Sequence, residues 1–480
     1  MAGPGSPHNK RRAPDRELVD IADYVLRYRL RGNQALQIAR LRLTDTLACA
    51  LDALDYPDCT KLIGPVVPGT VVPNGARIPG TPFVLDPVKA AFDLGCLIRW
   101  LDFNDTFTAA QGSHPSDNLA GILAIADYVS RRHRARGRKP LLMRDVLEHL
   151  VKAYEIQGCI AIENDFNAMG IDHVILTRVA IAAVATRLLG GSEAEIVNAV
   201  SNAWIDTSLR VYRQAPNVGW RKSWAAGKAN ADGVALALMA VAGEMGYPSV
   251  LTAPRWGFYP QFRDGKRFAF QRRYGDYIIR NSMFKFVAAG MHGQSAVECA
   301  FRLHPLVKDR LSEIERVEIF SQRALMGIMD KTGPLHNPAD RDHSVQYIVA
   351  VGLIFGKLDA RDFEDARASD PRIDRLRAKM TVIEDPKFTR DFYEPGKRSS
   401  ANAIQVRFRD GSSTPKVVVE FPVGHPRRVR EAEGVLRTKF ERSLARRYAP
   451  KRIARILGLC DDQARLERTP VDEFMEELAL

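Results

Sequence analysis

The chain lacks most of the signatures that would make its class obvious. No apolar run approaches the ~20 residues that a membrane-crossing helix needs, and the N-terminus has no signal-peptide core. The expectation is a chain that stays where it is made, in the cytoplasm or, in a eukaryote, the mitochondrial matrix. Six cysteines, Cys49, Cys59, Cys96, Cys159, Cys299 and Cys460, stand apart, with no C-x-x-C pair and no histidine at metal-site spacing. They read as small buried hydrophobes, and if the chemistry needs a Lewis acid, cysteine does not hold it. G-x-S-x-G, H-E-x-x-H, a dinucleotide-binding glycine fingerprint and a P-loop are all missing, so hydrolase, zincin, dehydrogenase and NTPase readings lose their support.

Acid is also short: the 480 residues carry a net charge of +13. The surplus is local, because Arg427 to Arg455 holds eleven Lys/Arg against three Glu. That stretch holds only two aromatics, Phe440 and Tyr448, so it reads as a solvated or salt-bridged helix face rather than a nucleic-acid surface. The run from Arg131 to Lys139 reads as an interhelical loop.

With 46% apolar residues the chain can bury a large core, and its length calls for more than one folding unit. Residues 1–16 read as a disordered tail. Helical periodicity fills 17–30, 34–54 and 116–132, Pro140 opens a further helix through 162, and 174–189, 192–205 and 222–245 read as Ala- and Leu-rich helices, the second of these opening with the capping pair Ser192 and Glu195. After Tyr274 the pattern changes to period two in 314–320, 403–408 and 416–421, the last two flanking the turn Asp410-Gly411-Ser412. The fold class expected is α+β, a large helical domain from 17–279 and 427–480 with an α+β lid domain of 280–426.

The chemistry concentrates in a few places. If 88–105 is one helix, Asp102 and Thr106 share a face and Asp105 points elsewhere, with His114 in the loop behind. His173 precedes an apolar helix whose dipole disfavours its charged form. Arg210, Arg213, Arg221 and Lys222 crowd a Pro/Gly-interrupted loop that leads into a helix, a cradle for carboxylate or phosphate. Lys285 lies in an apolar run ahead of His292, and Asp340-Arg341-Asp342-His343 reads as a capping cluster before Tyr347. An anion site holding His, Lys, Asp and Tyr suits proton abstraction beside a carboxylate.

These motifs have a resemblance. Arg99-Trp100-Leu101-Asp102-Phe103-Asn104-Asp105-Thr106, His114-Pro115-Ser116-Asp117-Asn118, Arg221-Lys222-Ser223-Trp224-Ala225-Ala226-Gly227 and Asn337-Pro338-Ala339-Asp340-Arg341-Asp342-His343 closely resemble the MmgE/PrpD family from about residue 17 onward. The resemblance implies cofactor-independent β-elimination of water from 2-methylcitrate, in a homodimer, with no metal, nucleic acid or membrane involved. Decarboxylation of cis-aconitate is the alternative on the same scaffold. It places the family's active-site positions on Asp102, Thr106, His114, His173, Lys222, Lys285 and Tyr347. Arg210, Arg213, Arg221, His292 and Arg341 complete the expected substrate-binding set. Two segments beside these positions, 205–209 and 286–291, are each one residue shorter than the family pattern.

Overall fold

The computed structural model describes residues 12–394 and 396–480, so residues 1–11 of the expected tail lie outside the described residues. Of the remainder of that tail, Asp15 is buried, and its carboxylate accepts from Leu251 N at 2.7 Å and from the Thr252 hydroxyl. That anchoring starts α1 at Arg16 (Arg16–Arg27).

Seven further long helices follow in the first half: α2 (Gln34–Ala53), α3 (Pro87–Arg99), α4 (Leu119–Ala135), α5 (Met143–Ala161), α6 (Val174–Leu188), α7 (Glu193–Ala203) and α8 (Arg221–Val241). Their starts follow local chemistry. Asp86 accepts from Val88 N and Lys89 N with Pro87 in the first turn, and Ser192 with Glu195 forms the expected capping box. Pro140, by contrast, stands outside α5, which begins at Met143. A short antiparallel ladder, β1 (Ala76–Arg77) with β2 (Val84–Leu85), lies between α2 and α3.

Helices α3 and α8 cross at two glycines. A Cβ on Gly95 would stand 2.5 Å from Gly227 Cα, and one on Gly227 would stand 2.4 Å from Phe92 O. Only glycine at both positions permits that approach. It sets the C-terminal end of α3 against the N-terminal end of α8, where the Ser223 hydroxyl donates to Trp100 O at 3.2 Å and the Trp100 and Trp220 rings stack.

The second half holds α9 (Gln294–Val307), α10 (Val345–Phe355) and a four-stranded sheet of β3 (Ile314–Ser321), β4 (Met380–Glu384), β5 (Asn402–Phe408) and β6 (Val417–Val419). The order is β4-β3-β5-β6, with β3 and β4 parallel and the other pairs antiparallel. The hairpin around Asp410-Gly411-Ser412 forms as the alternation predicts; β4 carries no clean alternation and was not legible. The chain closes with α11 (Val429–Ala445), α12 (Pro450–Asp461), α13 (Gln463–Arg468) and α14 (Val471–Leu478). Of these, α11 packs on α2, α13 on α5 and α14 on α4. The protein is therefore α+β, mostly helical with small sheets.

The basic stretch 427–455 is internally paired: Arg428 with Glu298 at 3.0 Å, Arg437 with Asp461 at 2.5 Å, Arg446 and Arg447 with Asp55, and Arg455 with Glu477 at 3.0 Å. Such pairs contribute little stability at an exposed surface, but they neutralise part of the stretch's charge. Among the described residues no helix is long and apolar enough to cross a membrane, and all six cysteines are buried free thiols.

Candidate active site

The expected helix over 88–105 stops at Arg99. In a continued helix Asp102 O would accept from Thr106 N. Instead Lys285 Nζ donates to Asp102 O at 2.6 Å, and Thr106 N donates to Met283 O at 2.9 Å, with the return bond at 2.7 Å. Two tertiary partners thus outbid the helix, and Asp102 takes a left-handed conformation with φ of 47°, which aspartate tolerates better than most residues. A tight turn from Phe107 to Ser113, closed by mutual backbone bonds at 2.9 and 3.2 Å, then returns the chain to His114.

Asp102 is a buried hub. Its Oδ1 pairs with Arg99, lies 3.0 Å from Lys285 Nζ and 3.9 Å from His114 Nε2. Its Oδ2 lies 3.4 Å from His343 Nε2. On the other side of that ring, His343 Nδ1 is 2.5 Å from Asp342 Oδ1. Asp342 accepts from Lys222 Nζ at 2.6 and 2.8 Å, and Lys222 also donates to Ala339 O at 3.1 Å. Burial lowers the Lys222 pKa to about 8, against the pull of Asp342. Burial and the nearby Arg99 hold Lys285 well below the usual lysine range. Burial with Lys222, Lys331 and Lys285 alongside keeps His343 neutral.

Asp105, by contrast, does not line the site's cavity. It is fully buried and accepts from the Tyr154 hydroxyl at 2.8 Å and Ser116 N at 3.1 Å, with Arg42 Nε 3.4 Å away. The segment is also braced from behind. Lys439, buried on α11, reaches Asp45 at 2.7 Å, Cys49 Sγ at 3.0 Å and Phe103 O at 3.1 Å.

The two candidate histidines face each other with ring centroids 5.7 Å apart. His114 Nδ1 lies 2.7 Å from Asp105 O, a pure acceptor, so Nδ1 carries the proton and Nε2 presents its lone pair. His173 Nδ1 is 3.2 Å from Asp172 Oδ1, and its buried Nε2 has no partner. Burial keeps both rings neutral. Arg99 and Lys285 add to the effect on His114, and Asp172 opposes it at His173. Burial raises the Asp172 carboxyl, but Arg213 and His173 outweigh this and hold it well below the usual carboxylate range.

These groups line one cavity of about 350 Å³ formed between the two halves of the chain. Five cations reach it, Arg99, Arg210, Arg213, Lys222 and Lys331, against two acids, Asp102 and Asp165. Three of the guanidiniums hold buried nitrogens in reserve: Arg99 Nε, Arg210 Nε and Arg213 Nη2 have no hydrogen-bond partner. Unsatisfied buried donors cost stability unless a ligand takes them up, and a carboxylate could take up these three. Thr106, His114, His173 and His292 also line the cavity. Gln322 donates to His292 Nδ1 at 3.3 Å, and burial lowers the His292 pKa to about 4.

Other expected site residues lie elsewhere. Lys285 is under Asp102 rather than on the cavity wall. Arg221 is exposed at the surface, its guanidinium 4.3 Å from the Trp224 ring centroid. Tyr347 donates to Asp362 O at 2.6 Å and Arg341 to Phe363 O at 2.7 Å, and both line a separate cavity of about 260 Å³. Conversely, Arg99, Lys331 and the Asp342-His343 pair belong to the site although sequence reasoning nominated none of them for it. The pair read as a cap, and the only signal that separated it from one was its place in the Asn337 to His343 motif.

Asp102, Asp342 and His343 present donor atoms within 4.8 Å of one another, as a cation site would. Lys222 and Lys285 already press ammonium groups against both carboxylates. A divalent cation there would have to displace both.

Comparison with known proteins agrees with this architecture. Residues 19–271 match the MmgE/PrpD N-terminal domain and 287–463 the MmgE/PrpD C-terminal domain. The chain is 55% identical over 480 residues to a 2-methylcitrate dehydratase of Cupriavidus necator, covering 99% of each chain. It is 54% identical over 467 residues to that of Escherichia coli K12, covering 96% of this chain and 97% of the relative. A mitochondrial 2-methylcitrate dehydratase of Yarrowia lipolytica is 46% identical over 474 residues, covering 98% and 91%.

Proposed function

The chain belongs to the MmgE/PrpD family, and on that premise we propose that it is a hydro-lyase that removes water from 2-methylcitrate to give 2-methyl-cis-aconitate in propionate breakdown. The observation that carries this is the set of three guanidiniums, each with one unpaired buried nitrogen, at one cavity that also holds two neutral histidines. Such a wall suits a polycarboxylate, and the histidines suit proton transfer from carbon.

The reaction breaks a C–H bond next to a carboxylate and a C–O bond on the neighbouring carbon, the C–H electrons becoming the new C=C bond. Arg99, Arg210 and Arg213 hold the carboxylates, including the one on which charge builds as the proton leaves. His114 takes the proton on Nε2, and Asp102 stabilises the resulting imidazolium from 3.9 Å. Lys222, protonated at neutral pH with its pKa near 8, gives its proton to the departing hydroxide. His173 and Thr106 hydrogen-bond the substrate, Lys285 fixes Asp102 through its carbonyl, and His343 links Asp102 to Asp342 and Lys222. No step calls on a metal or organic cofactor.

The same reading makes residues 17–279 and 427–480 one helical domain and 280–426 a lid over it. The seating of α11, α13 and α14 on α2, α5 and α4 supports this. It also takes the enzyme to be a cytoplasmic homodimer.

A substrate panel tests the assignment. After extensive chelation the protein should still generate the ultraviolet absorbance of a conjugated double bond from 2-methylcitrate and release no carbon dioxide from cis-aconitate. The converse pattern would make it a decarboxylase.

A further inference from the structure

We propose that Met291, with Ala324 and Phe392 behind it, forms the subsite that receives the substrate's methyl group and so distinguishes 2-methylcitrate from citrate. This rests on the dehydration assigned above. The product requires the proton to leave the methyl-bearing carbon, so the methyl is one bond away from the carbon that His114 deprotonates. Whatever lies beside the base must therefore accept an apolar group.

The cavity wall is mixed, with Ala109, Ala110, Val218, Ile328 and Met329 among its apolar residues, and one apolar group on it packs together beside the turn that carries His114. Met291, Met283 and Phe392 form a buried cluster with Ala324 packed against it, and Met291, Ala324 and Phe392 reach the cavity wall. Met291 is placed against the turn that delivers His114. Its sulfur lies 3.1 Å from the Thr106 hydroxyl oxygen, and its methyl would stand 3.9 Å from a Cβ built on Gly112. The Thr106 hydroxyl donates to Ser113 O at 3.0 Å, one residue before the base. Methionine suits this place, being apolar, polarizable and adaptable in shape. Ala324 leaves room where a larger residue would not.

The test is the ratio of kcat/KM for 2-methylcitrate to that for citrate in Met291→Gln, Met291→Leu and Ala324→Leu. One methylene in an apolar subsite is worth about 10- to 200-fold. The ratio should fall about tenfold or more in Met291→Gln, which makes the contact polar, and in Ala324→Leu, which fills the space. It should stay within about threefold in Met291→Leu. For a variant without turnover, the ratio of Kd values for the two acids by calorimetry gives the same reading. Parallel losses on both substrates, with the ratio unchanged in Met291→Gln and Ala324→Leu, would overturn the subsite. An unsubstituted enzyme inactive on 2-methylcitrate would instead overturn the dehydratase reading itself.

Discussion

Lys285 grips Asp102 twice, donating to its backbone carbonyl at 2.6 Å and lying 3.0 Å from its carboxylate. One lysine therefore fixes both the conformation and the charge of the residue on which Arg99, His114 and His343 converge. The first contact withdraws a carbonyl from the helix ladder, and the second balances a carboxylate that has almost no water around it.

Replacing that carboxylate should damage catalysis more than folding. Asp102→Asn keeps the shape and removes the charge that stabilises protonated His114. We expect kcat to fall about 10²- to 10³-fold, the range for loss of one preorganised electrostatic contact. KM should change less than tenfold; a kcat within threefold of the parent would contradict the role given to Asp102.

The arginines should separate from the proton-transfer groups kinetically. Arg210→Gln and Arg213→Gln each remove a charge-assisted hydrogen bond worth about 1.5–3 kcal/mol. Their kcat/KM should fall about 10- to 100-fold, mainly through KM. Steady-state kinetics with 2-methylcitrate decide it, and an unchanged KM in both variants would remove them from the substrate's contacts.

Lys222 sets the alkaline limb. Its pKa is lowered to about 8, and it must be protonated to give a proton to hydroxide. As pH rises through about 8 that proton is lost, so kcat/KM, which reports the free enzyme, should fall above this pH and be flat with respect to this group below it. A kcat/KM profile level to pH 10 would assign the acid to another group.

Behind the site, Lys439 and Asp45 form a buried pair at 2.7 Å that also holds Phe103 O. Removing one member of a buried pair strands the other charge at a cost of about 3–5 kcal/mol. Lys439→Met should therefore lower the urea midpoint, and Lys439→Met combined with Asp45→Leu should recover part of the loss. Equal midpoints for the parent and Lys439→Met would show that the pair contributes nothing.

Much of this was legible in the chain, for identifiable reasons. Helices α6, α7 and α8 follow from their Ala- and Leu-rich composition and from the Ser192–Glu195 cap, and α6 is buried on nearly all sides. The helix through Asp102 was misread because its competitors, Lys285 and Met283, lie some 180 residues away and leave no local trace. Of the basic cluster read as an anion cradle, Arg210, Arg213 and Lys222 line the cavity, but composition alone cannot tell which member turns outward. Arg221, one position before the buried Lys222, stacks on Trp224 at the surface instead. Asp342-His343 looked like a helix cap because sequence shows the next helix and not the carboxylate across the cavity.

The most direct measurement is turnover of 2-methylcitrate by the parent and by His114→Gln, followed by the ultraviolet absorbance of 2-methyl-cis-aconitate, with circular dichroism confirming the fold of both. The parent should form the product, and the variant should lose about 10²- to 10⁴-fold in kcat, the usual contribution of a general base. A parent without this activity, or a folded His114→Gln enzyme that keeps it in full, would contradict the account.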